Sequence, residues 1–135
     1  MNFNALEKIT VEENNANYVS IDGVLYNKEK TELVKYPHNK AGESIEIENT
    51  VTKIRNNAFW DCDKLTSIIL PDSVLEIGSS AFDSCSGLLE VKLGKNTTKI
   101  GTYAFRNCDK LTSIVIPDSV LEMGSSAFYS CSGLL

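Results

Sequence analysis

Several residue patterns that accompany catalysis and cofactor binding are missing from this sequence of 135 residues. It has a single histidine, His38, which counts against histidine-based zinc sites and against Ser-His or Cys-His catalysis. It also has no GxGxxG, P-loop or GxSxG stretch, so nucleotide-binding and hydrolase motifs are absent. We therefore predict that the protein is not an enzyme and needs no cofactor.

Long apolar runs and basic clusters are missing as well. No run approaches the roughly 18 apolar residues that a membrane span needs. The net charge of −5, without a cluster of Lys or Arg, argues against a nucleic-acid or anionic-membrane partner. The first ten residues, MNFNALEKIT, lack the basic and apolar regions of a signal peptide. A hydrophobic content of 42% is too high for a disordered chain and favours a single globular domain.

An internal repeat dominates the rest of the sequence. Residues 61–89 match residues 107–135 at 24 of 29 positions with an offset of 46, and half that offset also aligns the chain with itself. The columns spaced by 23 residues are Leu65, Leu88, Leu111 and Leu134; Cys62, Cys85, Cys108 and Cys131; Ala58, Ala81, Ala104 and Ala127; and Phe59, Phe82, Phe105 and Phe128. A constant period in this range is typical of a solenoid.

One unit, residues 65–87, indicates how each coil is built. Ile68 and Leu70 alternate with polar or exposed positions, which is the period of a short strand. The strand ends at Pro71, because proline fixes φ and donates no backbone hydrogen bond. Gly78 is expected to permit a tight bend, and Ser79 or Ser80 to cap one helical turn that carries the Phe column into the core.

An isolated coil of this kind is not expected to be stable. About eight inward apolar side chains contribute ~2 kcal/mol each, whereas ordering a coil costs on the order of 1–2 kcal/mol for every residue. Stacked coils share a core and exchange backbone hydrogen bonds as a parallel sheet. The predicted edge at Leu134 and Leu135 has no cap, which leaves two alternatives: further repeats, or another molecule on the edge, including self-association.

The unit LxxIxIPxxVxxIGxxAFxxCxx resembles the BspA-type leucine-rich repeat of bacterial and protozoan surface proteins. The resemblance is close over residues 42–135 and implies a leucine-rich-repeat solenoid with a parallel concave sheet and short strands and helical turns on the convex side. The predicted units are one domain, 1–135, divided into a modified repeat 1–41, regular repeats 42–64, 65–87, 88–110 and 111–133, and the start of another at 134–135.

The modified N-terminal repeat carries an insertion. Leu6, Ile9 and Val11 repeat the spacing of a unit strand, and about 18–37 is inserted after them. Asp22-Gly23 is a strong hairpin signal, and residues 27–30 predict a second turn. We expect a small antiparallel meander that protrudes from the solenoid or packs on its side. Decoration or partial capping is the simplest role, and binding by Tyr18, Tyr26 and Tyr36 is the alternative.

The four cysteines are predicted to be a column of buried free thiols. Zinc sites need ligand pairs a few residues apart, whereas every gap here is 23 residues. Side chains stacked in parallel do not reach the roughly 3.5–4.5 Å between Cβ atoms that a disulfide needs. No metal site is therefore predicted, and the Phe column is assigned to the core, with Trp60 and Tyr129 covering it.

The concave face is the predicted binding site. Strand alternation points two columns of side chains outward, one of which mixes apolar and charged residues and is suited to an extended partner. The candidate residues are Thr10, Glu46, Ser67, Ile69, Glu90, Lys92, Ser113 and Val115.

Two hypotheses for function follow. The family resemblance implies a non-catalytic adhesion module of a cell-surface or secreted protein, which binds a host or extracellular-matrix protein through the solenoid surface. The alternative is a passive structural spacer or scaffold segment of a larger protein.

Overall fold

The computed structural model describes residues 5–134, which form nine short strands and almost no helix. The predicted edge at Leu135 and the first four residues of the predicted N-terminal repeat lie outside the described residues. The strands are β1 (Tyr18–Ile21), β2 (Val24–Asn27), β3 (Glu32–Lys35), β4 (Lys53–Ile54), β5 (Ser67–Ile69), β6 (Glu76–Ile77), β7 (Glu90–Lys92), β8 (Lys99–Ile100) and β9 (Glu122–Met123).

Parallel pairing between coils confirms the solenoid. The strands β5 and β7 pair in parallel, with Ile68 opposite Val91, and Glu46 adds an isolated parallel bridge to Ile69. These residues form what we call the first sheet. The second sheet has seven strands in the order β1-β2-β3-β4-β6-β8-β9. Its coil strands β4, β6, β8 and β9 pair in parallel, and each step advances the chain by one repeat.

The convex turn of each coil is built differently from the predicted helical turn. In the first interface, the amides of Asn57, Phe59 and Asp61 donate to carbonyls of the next coil at 3.0, 2.7 and 2.8 Å. The amides between them donate within their own coil, three residues back, as Ala58 does to Arg55 at 3.1 Å. This alternation requires positive φ at two positions per turn, 61° at Asn57 and 60° at Asp61. The segment is thus a chain of tight turns bonded to its neighbour, and a helix would direct those amides along its own axis.

Two side-chain columns, one of Phe and one of Cys, lie inside these turns. The rings of Phe59, Phe82, Phe105 and Phe128 stack with centroids 4.7, 5.2 and 5.4 Å apart and interplanar angles of 11°, 3° and 3°. This confirms the predicted core column, although Phe128 is only partly buried. Tyr36 extends the stack at the other end, 5.1 Å from the ring of Phe59.

Gly78 has a role other than the predicted bend. Its φ is not positive, and a Cβ built on it lies 2.6 Å from the backbone nitrogen of Asn56 in the preceding coil. The glycine therefore permits close approach of two backbones rather than a special dihedral angle. Arg55 occupies the equivalent position one coil earlier, directly after β4. A side chain fits there because the preceding segment is the strand β3 and not another turn.

The predicted meander is confirmed, and its position decides between the two expected placements. Ile21 pairs with Val24 across Asp22-Gly23, whose φ values of 51° and 79° are those of a primed hairpin turn. Strand β3 then pairs in parallel with β4, so the meander is the N-terminal end of the second sheet. It packs on the solenoid and covers the sheet edge that the first coil strand would otherwise expose.

The segment before the meander does not extend the first sheet as the spacing of Leu6, Ile9 and Val11 predicts. The amide of Ile9 donates to the carbonyl of Gly23 at 2.8 Å, and that of Val11 donates to Ser20 Oγ at 3.2 Å. Residues 6–11 contain no strand. The hairpin thus provides backbone partners that the periodic spacing alone does not reveal.

Candidate functional site

The strands predicted for the concave face present the expected alternation. On β5, Ile68 is 1% exposed, whereas Ile69 is 65% exposed. On β7, Val91 is buried between the exposed side chains of Glu90 and Lys92. Alternate side chains of each strand therefore face solvent, as the period of two requires.

A groove of about 600 Å³ runs along this face. Six of the eight candidate residues line it, and these are Ser67, Ile69, Glu90, Lys92, Ser113 and Val115. The groove also takes apolar lining from Leu89, Leu93 and Pro117, which the sequence analysis did not select. Val115, at the far side of the groove, is 80% exposed. The apolar side chains of Ile69 and Val115 therefore flank the charged residues of β7.

The remaining two candidates lie apart from this groove. Glu46 bridges Ile69 and lines a neighbouring groove of about 470 Å³ on the same face. Thr10 lies in the segment whose amides bond to the β1–β2 hairpin. The structure therefore brings Glu46 next to the groove and assigns Thr10 to the hairpin end, because the N-terminal segment pairs with the insertion.

The two central charges of the groove, Glu90 and Lys92, form no ion pair in the described part of the chain. Among residues 5–134, neither Glu90 nor Lys92 has an oppositely charged side chain within 4.0 Å. Lys95, at the end of the groove, lies 3.6 Å from Asp72 and remains 77% exposed. These charges are therefore available to an incoming molecule.

The outer face of the second sheet carries a charge ladder that the sequence analysis missed. The side chains opposite one another are Lys53, Glu76, Lys99 and Glu122, which alternate in sign at every coil. Glu76 lies 3.5 Å from Lys53 and 3.6 Å from Lys99, and Glu122 lies 4.0 Å from Lys99. Opposite charges at the period of 23 residues were the signal that could have revealed it.

A second charged pair was also missed, in the turns. Asp83 stands one repeat before Arg106, at the position that Trp60 and Tyr129 occupy in other coils. Its side chain is 1% exposed and accepts a hydrogen bond from Arg106 Nε at 3.0 Å. The Arg106 guanidinium also lies 4.3 Å from the ring of Tyr103. Hydrogen bonding to Asp83 raises the pKa of Arg106.

Trp60 and Tyr129, predicted to cover the Phe column, are 44% and 60% exposed. The Phe rings between them are buried by stacking on one another, so the column needs no such cover.

All four cysteines are free and buried, which confirms the predicted thiol column. Each thiol also donates to a carbonyl one coil earlier: Cys85 to Phe59 at 3.1 Å, Cys108 to Phe82 at 3.2 Å and Cys131 to Phe105 at 2.8 Å. Burial raises the pKa of Cys62 and of Cys108 to about 12. The thiols are therefore packing groups with a satisfied donor, and they lack the thiolate character of a reactive cysteine.

Two of the three tyrosines considered for binding belong to the core. Tyr26 and Tyr36 are each 2% exposed, and burial raises the pKa of each to about 12. Tyr18 lies at the surface on β1. The hairpin therefore uses its aromatic side chains chiefly to close the N-terminal end of the core.

In residues 5–134, no group of three or more His, Cys, Asp or Glu side chains could hold a metal ion. No helix in this part of the chain is long and apolar enough to cross a membrane.

The repeat is also recognised by comparison with a known protein family. The sequence profile described as "BspA type Leucine rich repeat region" matches residues 5–135 with six copies. No curated protein matches the sequence.

Three solved structures resemble the whole fold. The pneumococcal vaccine antigen PcpA superimposes with a TM-score of 0.92 at 29% identity and covers 95% of this chain. A leucine-rich cell surface protein from Faecalibacterium prausnitzii gives 0.89 at 34% identity over 96% of this chain. A leucine-rich repeat protein from Bacteroides capillosus gives 0.71 at 32% identity, covering 83% of this chain and 94% of its own.

The first two of these proteins are much longer, and the chain spans 32% of PcpA and 35% of the F. prausnitzii protein. The period, the parallel register, the stacked Phe and Cys columns and the profile match all agree. The chain belongs to the BspA-type leucine-rich repeat family.

Proposed function

We propose that this chain is a non-catalytic protein-binding module of a cell-surface or secreted protein, and that it binds its partner through the groove of the first sheet. The observation that carries the proposal is the composition of that groove. Exposed Ile69 and Val115 flank the charged residues Glu90 and Lys92, which have no partners within the described chain.

The energetics of such a surface favour binding. Covering a fully exposed Ile or Val side chain contributes about 1.5–3 kcal/mol. The charged pair adds specificity, because an unmatched charge in the partner is repelled or left unpaired. Solenoids present extended surfaces of this kind to their partners.

The surface location is supported by the names of two relatives. One is a vaccine antigen of the pneumococcus and the other a cell surface protein of F. prausnitzii. Because the chain corresponds to about a third of each, its location and its host or extracellular-matrix partner are part of the proposal.

A passive spacer is the second candidate function. The alternating ladder of the second sheet favours it, because those side chains satisfy one another's charge and leave no excess for a partner. On this alternative the chain sets a distance between other parts of a larger protein.

Binding to immobilised extracellular-matrix proteins separates the two functions. We expect Ile69→Asp and Lys92→Glu each to weaken binding at least tenfold, since they place a charge on the apolar wall and reverse the central charge. Matched controls are Leu121→Asp, at a side chain 83% exposed outside the groove, and Lys110→Glu, at an exposed turn; both should bind within twofold of the parent.

The stability of each variant is measured beside its binding. All four substitutions are at exposed positions and should change the free energy of unfolding by no more than about 0.5 kcal/mol. Unchanged binding in both groove variants would assign the activity to another surface, and absence of binding by the parent chain would favour the spacer.

A further inference from the structure

The strand β7 has an unpaired edge inside the groove. On its other side, it is bonded to β5: Glu90 N donates to Thr66 O at 3.2 Å, and Leu70 N donates to Lys92 O at 2.9 Å. The equivalent bonds one coil later would join Ser113 N to Leu89 O and Leu93 N to Val115 O. In the part of the chain that the structure describes, neither is formed, and residues 111–117 contain no strand.

This separation is confined to the first sheet. In the same last coil, Leu121 N donates to Thr98 O at 2.9 Å, and Gly124 N donates to Ile100 O at 2.7 Å. The turns remain bonded too, with Phe105 N to Ala127 O at 2.8 Å. The coil is therefore attached along two of its sides and parted from β7 along the third, where the groove lies.

The unpaired groups of β7 belong to alternate residues. Glu90 and Lys92 direct their backbone groups toward β5, so Val91 and Leu93 direct theirs toward the groove. Val91 is 9% and Leu93 8% exposed, against 1% and 2% for their counterparts Ile68 and Leu70. The groove therefore presents backbone donors and acceptors beside a partly uncovered apolar floor.

We infer that the groove receives an extended segment of a partner protein, which adds as a strand to the free edge of β7. This inference rests on the proposed binding function and specifies its mode. Backbone hydrogen bonds to Val91 and Leu93 supply affinity, and alternate side chains of the segment enter the apolar floor. An unpaired strand edge is a template for such addition.

Charge defines the side chains of the segment that face solvent. Among the described residues no acidic side chain lies within 4.0 Å of Lys92, although Glu90 lies two residues before it on the same face of β7, and Lys95 lines the same groove. A segment with an acidic residue beside Lys92, flanked by apolar residues at alternate positions, matches both the charge and the period of β7. The occupant is thus an extended peptide that alternates apolar and polar residues, with an acidic side chain beside Lys92 and an uncharged one beside Glu90.

A synthetic peptide, acetyl-SVTVEVTVS-amide, is the probe, and backbone amide hydrogen exchange of the full 135-residue chain is the readout. In the free protein, the Val91 and Leu93 amides should exchange at least tenfold faster than those of Glu90 and Lys92, which act as internal controls on the same strand. The peptide should slow exchange at Val91 and Leu93 tenfold or more and leave the controls unchanged.

Two matched peptides test the chemistry. A peptide with the central Glu replaced by Lys should bind at least tenfold more weakly, and Lys92→Glu should reverse this preference. A peptide N-methylated at alternate residues cannot form the backbone bonds along that edge and should not protect Val91 or Leu93.

Three outcomes would overturn the inference. One is protection of Val91 and Leu93 in the free protein equal to that of the controls, since the edge would then already be paired. Another is protection that grows with protein concentration alone, which identifies a second copy as the occupant. The last is a loss of matrix-protein binding in the groove variants while neither peptide nor partner slows amide exchange at Val91 and Leu93. That result would retain the proposed function and rule out strand addition.

Discussion

The two sheets are made by the same coils, yet they differ in continuity. The second sheet runs from the hairpin through every coil to β9, whereas the first has two strands and one bridge. The second sheet leads directly into the turns that hold the Phe and Cys columns, and its outward charges alternate in sign. The second sheet therefore bonds each coil to the next, whereas the first sheet leaves one edge of β7 unpaired.

The largest expected effect is on the continuous side. Phe82→Ala removes a ring stacked between two others and leaves a cavity, so we expect a loss of about 4 kcal/mol in unfolding free energy. Phe128→Ala is the control, because that ring is partly buried and stacks on Phe105 alone among the described residues, so its loss should be about half as large. Urea unfolding measures both free energies, and equal losses would contradict a core stabilised by stacking of the Phe rings.

A smaller effect is expected at the buried charge pair. Arg106→Ala leaves the Asp83 side chain, which is 1% exposed, without its cation, and it should destabilise the fold more than the loss of a surface ion pair does. Arg55→Ala removes an arginine whose Nε lies 3.0 Å from the Glu32 carboxylate with both side chains near the surface, and it should cost less than about 1 kcal/mol. Thermal and urea unfolding compare the two, and equal costs would mean that burial does not set the value of the pair.

The smallest effect concerns the thiol column and pH. The folded-state pKa of Cys108 is about 12, against 9.0 for a free thiol, so the folded state retains a proton that the unfolded state releases. The stabilisation is complete below pH 9 and is lost as pH rises toward 12, by about 1.4 kcal/mol per pH unit for this thiol. Urea unfolding at pH 8 and 10, in reducing buffer, checks the slope.

Cys108→Ala serves as the control for that measurement. It removes the titrating group and should flatten the decline between pH 8 and 10 by the same amount. An identical decline in the variant would assign the alkaline instability to other groups, such as the thiols of Cys62, Cys85 and Cys131, whose pKa values burial also raises above 9.0.

Predictions that rest on a constant period or on local turn chemistry are confirmed in large part, but the strand expected around Ser113 and Val115 is not formed. The Phe and Cys columns, the strands of the first sheet and the Asp22-Gly23 turn were all predicted, because each depends on local chemistry or on stacking of like residues. The burial of Asp83 was not predicted, since its cationic partner Arg106 lies in the next coil.

The periodicity of the sequence could not predict the contacts between coils that differ in sequence. The place of the hairpin and of Thr10 depends on which backbone groups the insertion offers, and Gly78 depends on the approach of Asn56. Ser79 or Ser80 was expected to cap a helical turn, whereas hydrogen bonds to the neighbouring coil stabilise positive φ at Ser80 and Ser84 instead.

The sequence alone determined the period of the solenoid, its apolar columns and the chemistry of the exposed strand residues, because these follow from the repetition of side chains along one chain. The tertiary structure decided which charges find partners, where the hairpin pairs and where the last coil parts from β7. These outcomes depend on distances between coils, and no pattern within a single coil contains them.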